Sequence, residues 1–171
     1  MNQRTFMTFC SVIVSLFLLA ATVARVSAQL QKLTTKELTN RAEVIAVGKV
    51  TSMRSEWNRD KTRIYTKVTI SVDQYVKGQR SEKTLTISHL GGEVGAVGEL
   101  YSHTPRFSKD EEVLVFVKKD KKNNLRITGG ADGKFRITKS ELTGKKLVGK
   151  IKTLEDFTAR VKSIIKQQQL K

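Results

Sequence analysis

The chain has 171 residues, with 32 lysines and arginines against 16 acids, a formal net charge of +16, one cysteine and one proline. A single cysteine excludes an intrachain disulfide framework and a thiolate metal cluster, and a single proline argues against a long linker or disordered stretch. The positive excess draws polyanions such as nucleic acid, anionic headgroups or acidic glycans, or else marks a well-solvated basic surface, since the lysines are scattered rather than blocked.

Residues 1–28 read as a signal peptide: Arg4 ahead of an apolar run from Cys10 to Ala24, then Val26-Ser27-Ala28 with compact side chains beside the expected cut. A retained anchor is the competing reading, but the run is shorter than the roughly 20 residues of a spanning helix. Cleavage starts the mature chain at Gln29, leaves residues 29–171 as one domain, removes Cys10, and takes the net charge from +16 to +14 with the loss of Arg4 and Arg25. The product is expected outside the cytoplasm (periplasmic, cell-surface or secreted), without a membrane span and as a monomer.

Thr34 to Ala42 has threonine caps around a leucine and reads as a short helix. Val44 to Val50 is a β-branched run with a bulge or bend expected at Gly48. Arg54 to Lys61 is polar around Trp57 and reads as a loop or hairpin tip. From Arg63 to Val76 the period is two: Ile64, Thr66, Val68, Ile70 and Val72 share one face, as in a half-buried antiparallel strand. Thr84 to His89 alternates again, whereas Gly91 to Gly98 reads as a flexible loop that continues irregularly through Pro105 to Lys109.

Glu112 to Lys118 is apolar on both faces, hence a central strand. Lys119 to Asn124 turns it into Leu125–Ile127, and Gly129–Gly133 leads into Lys134–Thr138. Thr153-Leu-Glu-Asp156 has capping-box spacing, and Leu154, Phe157, Val161, Ile164 and Ile165 then share one face, predicting an amphipathic helix over about 153–168. That helix either docks on the strands or rests its basic face on anionic membrane. The fold class is mainly β: a small OB-like antiparallel barrel of 5–6 strands with a short N-terminal helix and the C-terminal helix, a two-sheet sandwich being the alternative.

Between Ala42 and Phe135, Val47-Gly-Lys-Val50, Ile64-Tyr-Thr66, Tyr75-Val-Lys-Gly78, Gly91-Gly92, Glu112-Val-Leu-Val-Phe116 and Gly133-Lys-Phe135 resemble a group of uncharacterised exported bacterial proteins. More distantly, the spacing is similar to the netrin-like domains of tissue inhibitors of metalloproteinases. The resemblance implies an OB-type five-stranded barrel with helices packed outside. That family's reactive feature is an N-terminal cysteine that chelates a protease's zinc. Gln29 stands first here and no cysteine remains, so the resemblance transfers no inhibitory residue.

No sequence motif announces catalysis. His89 and His103 are the only histidines; no HExxH, nucleophile elbow or phosphate-binding Gly-Lys-Ser/Thr accompanies them, and a site pairing them with Glu93 or Glu99 is set against two ordinary surface histidines. The expectation is no enzyme, no metal and no cofactor.

Two stretches could bind a partner. Tyr101, His103 and Phe107 follow the glycine-rich segment, which is either a mobile binding loop or a plain crossover. Trp57 lies among Arg54, Arg59, Lys61 and Arg63, either stacking on a base or sugar or capping the barrel as core. The function expected is an exported, non-catalytic binding module, protein-interacting or inhibitor-like, whose partner is an extracytoplasmic protein, a protease among the candidates. The alternative is a module for nucleic acid or acidic polysaccharide.

Overall fold

The computed structural model describes residues 32–149 and 152–170. The signal peptide assigned to residues 1–28, and the cleavage before Gln29, lie outside the described residues.

The first helix, α1 (Thr35–Arg41), begins where the sequence places it. Glu37 N donates to Thr34 Oγ1 and Thr34 N donates to the Glu37 carboxylate, a reciprocal cap that satisfies two otherwise open donors. Strands β1 (Val44–Trp57) and β2 (Ile64–Lys77) then form a long antiparallel hairpin, and β3 (Thr84–Leu90) pairs with β2. A small separate hairpin follows, β4 (Gly92–Val94) with β5 (Val97–Glu99). Strand β6 (Glu112–Lys119) returns to pair with β1 and turns into β7 (Leu125–Ile127). After a 3-10 turn (Gly130–Gly133) come β8 (Lys134–Lys139), β9 (Lys146–Val148), β10 (Lys152–Thr153) and the closing helix α2 (Leu154–Gln169).

Among the described residues the main sheet runs β10-β9-β8-β6-β1-β2-β3, with β7 beside β8 on the same edge of β6. Every pairing is antiparallel. The chain is therefore mainly β with a C-terminal helix, but the sheet differs from a closed barrel of five or six strands. Among the described residues ten strands form, and no ladder joins β3 to β7, although the two pack against each other.

The sheet is buried on both faces at its centre. On one side Val44, Ala46 and Val50 of β1 meet Val68 and Ile70 of β2, Leu85 and Ile87 of β3, and Val113, Val115 and Val117 of β6. On the other, Ile45, Val47, Leu114 and Phe116 meet Leu38 of α1 and Phe157 and Val161 of α2. The doubly apolar Glu112–Lys118 run thus has the central position its composition demands, since alternate side chains enter different cores. Phe116, Phe135 and Phe157 close the helix side, with ring centroids 5.2–6.5 Å apart.

Beyond Lys49, β1 loses its β6 neighbour and continues with β2, which β3 flanks from Tyr65 to Ser71, as a three-stranded arm. Register shifts beside Gly48 and between Val50 and Ser52 mark the change, where a bulge is expected. Residues 54–57 are consequently strand rather than loop. The arm forms because β2 keeps its period of two as far as Ile64 and offers a full ladder to the polar residues opposite. Asn58 closes the tip by accepting from the Thr62 and Arg63 amides.

Candidate functional site

The glycine-rich segment is ordered. Val94 pairs with Val97 across Gly95 and Ala96, and Gly95 has φ of 61°, as the first central position of a type II′ turn requires. Gly92, at φ of 134°, lets the hairpin sit against the arm: a Cβ there would overlap the hydroxyls of Thr66 and Ser55. Those hydroxyls form a chain, Ser55 Oγ to Thr66 Oγ1 at 2.9 Å and Thr66 Oγ1 donating to Gly91 O at 2.6 Å. Glu93 N donates to Ser55 Oγ at 3.3 Å. The segment's glycines therefore serve a turn and a close approach, not mobility.

Between this hairpin, the arm and residues 104–107 lies an open cleft of about 660 Å³. Met53, Leu90, Leu100, Tyr101 and Phe107 supply apolar wall, and Arg106 lines the cleft as well. The His89 and Phe107 rings are stacked, centroids 6.0 Å apart and 21° between planes. His89 Nδ1 lies 2.9 Å from Leu90 O, and since a carbonyl only accepts, Nδ1 carries the proton. Burial holds the imidazole below its ordinary pKa, so the ring is neutral near pH 7.

At the other end Glu99 accepts from Ile64 N at 3.1 Å and from the Tyr101 hydroxyl at 2.8 Å. The Ile64 amide first, then Tyr101, keeps the Glu99 carboxyl below its usual range, with Arg63 adding attraction. Accepting Tyr101's hydrogen bond, Glu99 raises the phenol's pKa.

The sequence candidates divide. Tyr101 and Phe107 line the cleft, and Arg63 reaches the Tyr101–Glu99 pair from the arm. His103 does not line it. Its Nε2 donates to Gly129 O at 3.0 Å and lies 3.7 Å from Asp132, while His103 O accepts from Ala131 N, so this residue pins the loop to the turn below. Trp57 is half-buried at the arm's end, opposite Ile64, and Arg59 and Lys61 are exposed on the tip. Cation–π contacts among the described residues fall elsewhere: Arg126 over Tyr65 and Lys134 over Phe107.

Sequence reading missed Met53, Leu90, Leu100, Pro105 and Arg106 as cleft residues. One signal was present: Val94, Val97 and Leu100 are large apolar residues in a stretch with no visible core partner. His89 and Glu99 share the cleft, but among the described residues no group of three His, Cys, Asp or Glu side chains gathers to hold a metal. No helix among the described residues is long and apolar enough to cross a membrane. In comparison with known proteins, no family model and no curated sequence matches the chain.

Proposed function

We propose that the chain is an exported, non-catalytic binding module that takes a protein partner at the cleft between the β4–β5 hairpin and residues 104–107. One observation carries the reading. Of the five large apolar side chains left exposed among the described residues, three, Met53 (44 %), Val97 (48 %) and Leu100 (78 %), belong to this cleft or its hairpin, while Leu142 and Leu170 stand singly elsewhere. Apolar surface gathered in one place is what a protein contact uses. The acid–base groups nearby are already committed: Glu99 to Tyr101 and Ile64, His89 to Leu90, His103 to Gly129. That favours binding over catalysis.

For the fold behind it we read β1-β2-β3-β7-β6 as an OB-like barrel whose β3–β7 seam is packed rather than hydrogen-bonded, in keeping with the netrin-like resemblance. The strand order and the contact between β3 and β7 support this.

The test is capture of partners from envelope and culture fractions by the exported chain and by a Met53→Asp/Leu100→Asp variant, at low and high salt. A discrete protein held at high salt by the wild type and lost with the variant supports the reading. Polyanion binding is favoured by the exposed Arg59 and Lys61 beside Trp57. Nucleic acid or acidic glycan released by salt, equally by both proteins, would transfer the function to that tip. Mass spectrometry of the exported form checks the address, with Gln29 the expected first residue.

A further inference from the structure

The cleft has an unpaired strand along one side. Among the described residues strand β5 pairs only with β4, and its Gly98 and Glu99 line the cleft. In a two-residue hairpin the closing pair, here Val94 and Val97, exchanges the ladder hydrogen bonds, so the next pair turns its amides outward. The β4 member of that pair behaves accordingly: Glu93 N points away from β5 and donates to Ser55 Oγ. Its partner Gly98 is exposed, with no hydrogen bond from outside the hairpin among the described residues. A Cβ here would touch the flexible Glu93 stem at 3.4 Å and Gly92 O at 4.0 Å, ordinary contacts, so the site would tolerate a methyl group while glycine leaves the backbone uncovered.

We infer that the partner binds as an extended acidic peptide segment, adding a strand to the outer edge of β5. This rests on the cleft reading above. Main-chain bonds to Gly98 N–H and C=O set its direction, and an apolar side chain enters between Leu90, Leu100 and the stacked His89–Phe107 pair. Acidic flanks are selected by charge. Arg106 lines the cleft, and Arg63 lies beside its Tyr101. Of the acids nearby, Glu99 is occupied by Tyr101, the Ile64 amide and Arg63, which leaves Glu93 as the exposed opposing carboxylate. The +14 of the mature chain adds the same preference at long range.

The experiment is selection of a random peptide library on the full exported chain, followed by titration of the selected peptide. Four proteins are compared: wild type, Gly98→Ala, Gly98→Pro and Leu100→Asp. Strand addition expects an apolar residue flanked by Asp or Glu, and binding kept by Gly98→Ala. Gly98→Pro, which lacks the N–H, should weaken it about tenfold, as should N-methylation of the facing peptide amide. If Leu100→Asp abolishes binding while Gly98→Pro and N-methylation leave it unchanged, the cleft binds its partner but not as a strand. If selected peptides bind equally to Leu100→Asp, the cleft reading falls with the inference. Because a proline could unfold the small hairpin, the N-methylated peptide on wild-type protein decides independently of any variant.

Discussion

Thr128 is fully buried and its hydroxyl has no hydrogen-bond partner among the described residues. An unmatched buried hydroxyl costs about 1–3 kcal/mol, whereas valine has the same shape without that cost. Thr128→Val is therefore expected to raise stability by about 1 kcal/mol in urea unfolding; a loss would mean that the hydroxyl is satisfied after all. Titration acts at the same scale. Burial lowers the His89 pKa, so the unfolded chain takes up a proton near 6.5 that the folded ring declines. Stability is then intact above that value and falls as the pH drops, until the folded ring is protonated too. Glu99, also lowered, adds the same sign further down: its contribution is whole above 4.5 and lost as the pH falls through its folded value. Asp120 does so lowest, held at about 2 chiefly by the Arg126 guanidinium. Thermal unfolding between about pH 7 and 5 should show the histidine part of this decline, and His89→Phe should flatten it. A variant that declines as steeply as wild type would assign the effect to other groups.

At the scale of elements, the two hairpins and the last helix behave differently. Helix α2 is held by Phe157, Val161 and Ile164 against the outer face of the sheet, with Phe157 contacting both Phe116 and Phe135. Phe157→Ala should cost about 3–5 kcal/mol, because both transfer and cavity terms are lost at a buried aromatic cluster. Equilibrium unfolding checks this, and a cost under about 1 kcal/mol would show that α2 docks by other contacts. The β4–β5 hairpin has almost no core of its own and depends on the fit of Gly92 to Ser55 and Thr66. Gly92→Ala should lift it from the arm, seen as lost amide-exchange protection over 92–99 with the main sheet unchanged. Retained protection would mean that the arm hydroxyls yield to the methyl group.

At the scale of the whole molecule, one sheet separates two cores among the described residues. Apolar exposure at the cleft is one attraction available between copies. Sedimentation should give a monomer; a dimer abolished by Leu100→Asp would show that the cleft serves self-association. Salt distinguishes the modes of partner binding. An apolar seat with acidic flanks should lose only modest affinity between low and physiological salt, while neutralisation of several phosphates would cost about a thousandfold or more. An isothermal titration series over salt reads this directly.

Much of this was legible along the chain. The threonine cap at Thr34, the period of two in β2, the turn after Lys119 and the apolar stripe of α2 are local patterns, and each folds where its residues ask. Composition likewise set the charge and the scarcity of thiols. Which strands become neighbours was not local. The extension of β1 to Trp57 depends on β2 supplying a ladder to polar residues, and the hairpin at 92–99 depends on hydroxyls contributed by Ser55 and Thr66, far back in the chain. The cleft is decided the same way. Met53, His89, Leu100 and Phe107 come from four segments, and none has a motif that names the others. A single sequence specifies each strand's faces through its own period, but which faces meet is a property of long-range packing, and only the tertiary structure decides it.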